Sequence, residues 1–454
     1  MNTRIISFSI CSDFFMLFLF AMANLLCLFN MTAGIYIAKI LLLGFILFFI
    51  MKSMKINGTL SLYTLFLGFC LFFIYSRIYF DLIGFWHRQV NDFYFFFTKI
   101  HFSDELVMKF FNFSILFFVF FDFGYYLNPK KYIKIIPVSD NEFAKRIVFF
   151  LMLITTPLLL YKSILDIRYV RTYGYSSVLD RMNYPFYLKG AGTLFIASFY
   201  ASFMFKLSKK EFIFIIILYL LQSMGASLRG SRSVFMIPFI MSLYMISKFD
   251  IAKIKFRTLV LIGCISVFII SMMTIFLRGE SFIGNTLLEL IYYILYGQGN
   301  SIGVPLYYLH HQNSINDVQL MPFIFQDLVH LYNNNILAGS GYIAAIVNTK
   351  KVEGGLGESL FLELLDMPLF FSLPFSLFIG WFINFIEANM LRNRFFLPMA
   401  LIISSWVIVW ARFAFFHFLE IHNIVSYILA ILFFIFAITF SKYGVKNSKG
   451  IVNV

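Results

Sequence analysis

Long apolar segments recur along the whole chain, and each is about as long as the ~20 residues that cross the hydrocarbon core of a bilayer as one helix. Within lipid, backbone N–H and C=O groups must pair inside the protein, which favours helices. The composition agrees, because 61% of the residues are hydrophobic and only 13% are charged, far outside the range of soluble globular proteins. The sequence therefore predicts an all-α, polytopic membrane protein.

The apolar pattern predicts about twelve transmembrane helices. Their predicted limits are 8–29, 33–51, 59–80, 106–127, 147–162, 191–206, 212–227, 233–247, 258–277, 368–386, 396–411 and 423–441. The sequence contains no internal repeat, and no low-complexity linker lies between these segments. We therefore expect residues 1–454 to form a single integral membrane domain.

The short connections between these segments alternate between lysine-rich and lysine-poor. Lysine-rich examples are "KSMK", "KLSKKE", "SKFDIAKIKFR" and the C-terminal "SKYGVKNSK". By the positive-inside rule these connections lie in the cytoplasm, which places both termini there. Three long connections, 81–105, 163–190 and 278–367, then lie on the other side, and 278–367 is predicted to be the main extracytoplasmic loop.

The sequence indicates neither a metal site nor a cofactor. Its cysteines fall inside apolar spans, where a disulfide framework or a thiolate metal site is not expected. The histidines form no H-E-x-x-H pattern, and the acids form no D-x-D pattern of the kind that holds a metal and a sugar nucleotide. We expect metal-independent chemistry or none, and no nucleic-acid partner.

Arginines, unlike lysines, gather at the predicted outer side. Four of them lie at or near predicted outer span ends: Arg229 and Arg232 in "LRGSR", Arg278 in "FLRGES" and Arg412 in "VWARFAFFHF". A guanidinium group can hold a phosphate or carboxylate through two parallel hydrogen bonds. We predict that these arginines bind an anionic ligand such as a diphosphate. The alternative is that each extends to the lipid headgroups or pairs with a nearby acid, Glu280 or Glu420.

Acidic residues mark the start of the tenth predicted span. In "VEGGLGESLFLELLDMPLFF" glycines precede Glu358, and Glu363 and Asp366 follow within two turns. A carboxylate with a raised pKa at the mouth of a cavity could take a proton from an attacking hydroxyl, so Glu358 is a candidate general base, with Glu280 as a competing one. Alternatively, these acids only complement the dipole of a helix N-terminus.

Two adjacent histidines stand in the large outer loop among residues suited to sugar recognition. The segment "YYLHHQNS" contains Tyr307, Tyr308, His310 and His311. Tyrosine rings stack on sugars, and a neutral imidazole accepts a proton, so either histidine could also be the base. The alternative is that they are loop histidines without a catalytic task.

The motifs "GASLRGSRSVF" after the seventh span and "GGLGESLFLELL" before the tenth, together with the long late outer loop, resemble the Wzy-type polymerases of O-antigen or oligosaccharide repeat units. The resemblance covers roughly 150–425. It implies a GT-C-like membrane glycosyltransferase at the periplasmic face of the bacterial inner membrane. It also implies an undecaprenyl-diphosphate-linked oligosaccharide as substrate.

By this resemblance, the growing glycan would move from undecaprenyl diphosphate to the non-reducing end of another carrier-linked repeat unit. Functional arginines are expected in the outer loops, which adds Arg168, Arg171 and Arg181 as candidates for glycan binding. A chain-length regulator protein is a possible partner besides the lipid bilayer itself.

Other functional classes stay open. A lipid-linked oligosaccharide flippase should lack so long an outer loop and should carry its arginines deeper in the spans. A dolichol-type sugar transferase should carry acids in its first outer loop, which here has none. An O-antigen ligase shares the chemistry but has a different acceptor. A transporter needs charges near mid-span, for which Lys39 and Asp122 are the candidates.

Overall fold

The architecture comes from a computed structural model that describes most of the chain. The described residues are 2–84, 91–95, 98–127, 139–173, 184–227, 233–255, 257–258, 261, 263, 265, 299–316, 319, 321–333 and 359–450. Among them, seven helices are long and apolar enough to cross a membrane, and a bent helix pair would make eight. The predicted all-α polytopic fold is confirmed.

The described elements run in the following order. The first are α1 (Asn2–Phe29), α2 (Met31–Asn57), α3 (Leu62–Phe73), α4 (Ser76–Ile83), β1 (Asp92–Phe95), β2 (Thr98–His101), α5 (Asp104–Tyr126), α6 (Glu142–Tyr173), α7 (Phe186–Ser202), α8 (Lys209–Ser227) and α9 (Ser233–Lys248). Then come α10 (Gly303–His310), α11 (Gln312–Asn316), α12 (Phe323–His330), α13 (Leu360–Asp366), α14 (Leu369–Asn389), α15 (Phe396–Val409) and α16 (Ile421–Gly450). Single 3-10 turns lie at Gly299–Ile302 and Phe415–Leu419, and β1 and β2 form an antiparallel hairpin.

The chain forms two compact units, each assembled from separate stretches of sequence. The first comprises Met1–Lys131, Gly284–Glu387 and Trp406–Phe418. The second comprises Tyr132–Ile283, Ala388–Ser405 and Leu419–Val454. The expectation of a single integral membrane domain stays a prediction, as does the extracytoplasmic position of 278–367.

Polar residues explain where three helices of the first unit begin. The side chains of Asn30, Ser61 and Ser103 each accept a hydrogen bond from the backbone N–H three residues later, at 3.1, 3.1 and 3.4 Å. Such caps pair N–H groups that have no partner inside the first turn. Asn30 alone separates α1 from α2, so two apolar helices follow one another with almost no connection.

The third predicted span, 59–80, is broken in the structure. Helices α3 and α4 meet at an angle of 53°. The amides of Ile74 and Tyr75 both donate to the Cys70 carbonyl, at 2.9 and 3.1 Å. One carbonyl thus receives two successive N–H groups, which ends the regular i to i−4 pattern of α3. The hydropathy of the segment gives no sign of this break.

Two glycines allow α5 and α14 to cross in backbone contact. A Cβ atom at Gly124 would lie 2.0 Å from the Leu377 carbonyl oxygen, and one at Gly380 would lie 2.0 Å from the Phe121 carbonyl oxygen. Small residues permit such close approach between membrane helices. Beside the crossing, the Asn384 side-chain amide donates to a backbone carbonyl of α5 at 2.6 Å, which fixes the register of the pair.

A buried ionic cluster joins four helices of the first unit. Lys52 of α2 pairs with Asp122 of α5, and its ammonium nitrogen lies 3.8 Å from a carboxylate oxygen of Asp13 on α1. Tyr63 of α3 donates a hydrogen bond to Asp122. The side chains of Lys52, Asp122 and Asp13 are 3%, 0% and 5% exposed. Buried charges are tolerated when they are paired in this way.

Lys39 has its own partner within the same unit. It forms an ion pair with Asp81 of α4, and both side chains are largely buried. Lys39 and Asp122 are the two mid-span charges expected of a transporter. Both are therefore engaged in ion pairs. Their presence is accounted for by pairing between helices.

In the second unit, α6 packs against α7, α8 and α16, and it is longer than predicted. The predicted span ends at 162, but α6 continues to Tyr173. Leu159, Ser163, Asp166 and Val170 are all buried, and their spacing places them on one face of the helix. The added turns are polar but still pack on one side, which hydropathy alone does not detect. The predicted loop 163–190 therefore begins later.

Helices lie at each predicted span that falls in the described part of the chain. The ninth predicted span, 258–277, lies almost entirely outside it, and residues 278–298 lie entirely outside it. Many large apolar side chains on the long helices are exposed, including Phe14, Phe18, Phe150 and Ile154. Exposed apolar faces on helices of this length are suited to contact with lipid.

Candidate functional site

The two histidines of the large loop form an aromatic cluster at the end of α10. His310 is the last residue of this helix, and His311 caps it with its N–H bonded to the carbonyls of Tyr307 and Tyr308, at 3.1 and 3.2 Å. The Tyr307 and His311 rings, four residues apart and therefore on one helix face, have centroids 4.5 Å apart. The His310 and His311 rings are 4.6 Å apart. The predicted grouping of tyrosine and histidine is thus present in space.

The protonation states of this cluster follow from its partial burial. Burial lowers the pKa of His311, and the neighbouring His310 lowers it further. Burial raises the pKa of Tyr307 to about 12 and raises the pKa of Tyr308 as well. At neutral pH His311 is therefore a neutral imidazole that can accept a proton. The tyrosines remain neutral hydrogen-bonding groups.

Hairpin residues lie beside the histidines. The Phe102 ring, just after β2, meets His310 edge to face with centroids 5.8 Å apart. Within the hairpin, His101 Nδ1 lies 2.9 Å from a carboxylate oxygen of Asp92. His310 is exposed while Tyr308 is buried. The cluster therefore presents the His310 imidazole to solvent above a buried base of Tyr307, Tyr308 and Phe102.

Asp366, at the end of α13, anchors the base of this cluster. Its carboxylate accepts hydrogen bonds from the Tyr308 hydroxyl at 3.0 Å, from the Gln319 amide at 2.8 Å and from the Phe323 N–H at 2.6 Å. Burial raises the pKa of Asp366, and the three hydrogen bonds partly oppose that shift. One side chain thus ties together α10, the loop at 319 and the first turn of α12.

The other end of α13 is attached to the segment that carries Arg412. The Leu360 N–H donates to the Trp410 carbonyl at 3.2 Å, and Ser359 Oγ donates to the Ala411 carbonyl at 3.4 Å. Glu363 is fully buried and accepts a hydrogen bond from the Phe415 N–H at 2.8 Å. Residues 410–415, which we call the arginine segment, are therefore fixed to α13 by three contacts.

Arg412 itself is half-buried. Its guanidinium carbon lies 5.4 Å from the centroid of the Phe73 ring, close enough for a cation–π contact. Its N–H bonds to the Val409 carbonyl at 2.8 Å. Of the four arginines predicted to bind a diphosphate, it is the one that the described residues include.

Some of the remaining predicted site residues lie on another helix, and the others lie outside the described residues. Arg168 and Arg171 lie near the end of α6 and are exposed. The residues outside the described part are Arg181, Arg229, Arg232, Arg278, Glu280 and Glu358. The convergence of Arg232, Arg278 and Arg412 on one diphosphate therefore stays a prediction, as does a base role for Glu358.

Sequence reasoning did not assign the buried polar contacts of this region. As acids beside a helix start, Glu363 and Asp366 predict only a favourable interaction with the helix dipole, but in the structure both accept hydrogen bonds from distant segments. Arg77 of α4 is also buried and donates to the Asp92 carbonyl at 3.3 Å. The signal in the sequence was the charge of these residues beside apolar helices. Such charges indicate that each residue has a polar partner, but they do not identify that partner.

The described residues include no group of three or more His, Cys, Asp or Glu side chains that could hold a metal ion. Metal-independent chemistry stays a prediction for the chain as a whole. Among the predicted site residues that the structure describes, the His310 and His311 imidazoles can accept a proton, and the Arg412 guanidinium supplies positive charge.

Comparisons with known proteins agree with the resemblance seen in the motifs. No curated protein and no solved structure matches the chain. The model of the family O-antigen polysaccharide polymerase Wzy matches residues 6–448, which is nearly the whole chain. The protein therefore belongs to the Wzy family of O-antigen polysaccharide polymerases.

Proposed function

We propose that the protein transfers a growing glycan from undecaprenyl diphosphate to the non-reducing end of another carrier-linked repeat unit, at the periplasmic face of the inner membrane. Membership of the Wzy family supports polymerisation of O-antigen repeat units. The observation that carries the proposed site is the His310–His311–Tyr307 cluster, which α13 connects to the arginine segment.

The proposed reaction needs one proton acceptor and one anion-stabilising group. The acceptor sugar hydroxyl attacks the anomeric carbon of the donor glycan, and its proton passes to the neutral imidazole of His311. The bond between the anomeric carbon and the phosphate oxygen breaks, and its electron pair leaves with undecaprenyl diphosphate. Arg412 stabilises the negative charge that develops on that phosphate. No metal ion is required for these steps.

Other predicted residues have roles within the same proposal. Glu358 and Glu280 are the alternative general bases, and Arg229, Arg232 and Arg278 are further candidates for diphosphate binding. Arg168 and Arg171 on α6 are exposed and stay candidates for glycan binding by resemblance to the family. Tyr307 is buried and its ring packs against His311, so its proposed role is to support the His311 ring, and the exposed His310 ring is proposed to contact the sugar.

Gene deletion followed by complementation tests this proposal. Deletion should leave surface lipopolysaccharide with at most one repeat unit, because export and ligation of single units would continue. Wild-type protein should restore the ladder of long chains. Loss of even the single-unit band would instead favour a flippase or an O-antigen ligase.

Complementation with point variants then tests the site. Arg412→Lys keeps the charge but loses the planar fork, so long-chain product should fall by about tenfold if the guanidinium binds a phosphate in two places. His311→Ala should fall at least as far. Membrane levels of each variant should equal wild type on immunoblots. A full ladder from both variants would contradict the proposed site.

The proposed orientation has a separate test. Reporter fusions at Asn313 of α11 should indicate the periplasm, and fusions at Lys209 at the start of α8 should indicate the cytoplasm. A cytoplasmic signal at Asn313 would contradict chemistry at the periplasmic face.

A further inference from the structure

Helix α13 is short, but it contacts both parts of the proposed site. Its start bonds to the arginine segment through Ser359 and Leu360, and its end bonds to the base of the histidine cluster through Asp366. A helix of this length rises by only about 9 Å. The two parts of the site are therefore joined by a rigid spacer instead of a flexible loop.

Two acids on this helix, Glu363 and Asp366, accept most of the hydrogen bonds that attach α13 to neighbouring segments. Glu363 is fully buried and receives the Phe415 N–H at 2.8 Å. Asp366 receives three donors from three different places in the chain. A buried backbone N–H that loses its acceptor costs free energy, so each acid holds a specific segment in place.

A carboxylate suits the position of Asp366 for two reasons. It offers about four lone-pair directions, enough for the donors from Tyr308, Gln319 and Phe323. Phe323 is the first residue of α12, and negative charge is favoured at a helix N-terminus. Tyr308 in turn lies in the last turn of α10, next to Tyr307 and two residues before His310.

We propose that Glu363 and Asp366 are positioning residues for glycan transfer, and that they hold Arg412 and His311 at a fixed separation along α13. This inference rests on the proposed function, because it gives a role to residues that act through His311 and Arg412. Neither acid needs to exchange a proton with substrate.

Kinetics of the purified full-length protein test the inference. The probe is the lipid-linked repeat unit extracted from cells that lack this polymerase. Glu363→Gln and Asp366→Asn keep a carbonyl oxygen as acceptor, and the Tyr308 hydroxyl can turn to accept from the new amide. Both variants should retain kcat within about twofold. Inactivity of these amides would overturn the inference, because it would show that the carboxylates themselves take part in the chemistry.

Variants without an acceptor should lose turnover. Glu363→Leu and Asp366→Leu should lower kcat by about 10- to 100-fold, with a smaller effect on KM, because small displacements of reacting groups are costly. Tyr308→Phe removes a single donor to Asp366 and keeps the buried ring, so it should lower kcat by a few fold while the protein stays folded. Glu105→Gln, an exposed acid on α5 paired with Lys109, is the matched control and should match wild type.

The leucine variants are interpreted per folded molecule, measured as the monodisperse fraction in size-exclusion chromatography. If they do not fold, Tyr308→Phe decides the question. Wild-type kcat in Tyr308→Phe, or in folded leucine variants, would overturn the inference. The proposed site fails separately, by full activity in His311→Ala and Arg412→Ala, and the proposed function fails if the wild-type protein does not elongate the lipid-linked repeat unit.

Discussion

Lys52→Met should strongly destabilise the first unit, because Lys52 is the ammonium that Asp122 and Asp13 share inside the helix bundle. Methionine keeps the length and the apolar stem of lysine, and it removes only the charge and its hydrogen bonds. All three side chains are at most 5% exposed. The buried Asp122 carboxylate would then lose the ammonium with which it pairs.

The expected magnitude follows from the geometry. The ammonium nitrogen of Lys52 lies 3.8 Å from a carboxylate oxygen of Asp13. The contact with Asp122 is closer. Breaking a buried pair by removing one partner typically costs about 3–5 kcal/mol. We expect the free energy of unfolding of Lys52→Met to fall by about that amount.

Two matched variants separate loss of pairing from loss of volume. Asp13→Asn should be nearly neutral or mildly stabilising, because Asp13 is the more distant partner and its charge repels that of Asp122. The double variant Lys52→Met, Asp122→Asn should recover much of the lost stability, because replacing both members of a buried pair by neutral groups is often tolerated.

Unfolding of the purified protein from mild detergent into increasing SDS measures these differences. Lys52→Met with wild-type stability would refute the reasoning, since it would show that the pair is not desolvated. If Asp13→Asn destabilised the protein as much as Lys52→Met, the reasoning would also be refuted. The charge of Asp13 would then matter as much for stability as that of Lys52.

Three further predictions use other features of the fold. Gly380→Ala should lower thermal stability sharply, because its Cβ would lie 2.0 Å from the Phe121 carbonyl oxygen, whereas Gly44→Ala has nothing within 4 Å of its new Cβ and should be silent. Burial raises the pKa of Asp366, so its contribution to stability is present at acidic pH and is lost as pH rises through that raised pKa. The stability of wild type relative to Asp366→Asn should therefore decline as pH increases across this window. The pKa of His311 is lowered, so if it is the base, kcat/KM should fall on acidification only below about pH 6.5, the ordinary histidine value; an acid limb above that value would contradict its role.

Of the proposed site, the sequence identified the side chains proposed to do the chemistry more readily than those that hold them. His310, His311 and Tyr307 were predicted from one local segment, and the structure groups their rings. Arg412 was predicted from its place near a span end. The partners of Glu363 and Asp366 lie 52 and up to 58 residues away along the chain, and no local pattern encodes such distances.

The sequence by itself determined the class of the protein, the position of its apolar helices and its family resemblance. Each of these depends on properties of a local segment, because transfer of about 20 residues into a bilayer is favourable or not according to their own side chains. The caps at Asn30, Ser61 and Ser103 are local in the same sense, since each involves residues within one turn.

Only the tertiary structure decided where helices break, how far they extend and which charges pair. The break at Ile74 and Tyr75, the continuation of α6 to Tyr173 and the pairing of Lys52 with Asp122 all depend on surfaces that come together after the helices pack. Hydropathy sums over a segment and is blind to direction, whereas packing and ion pairing depend on which face of a helix meets which neighbour.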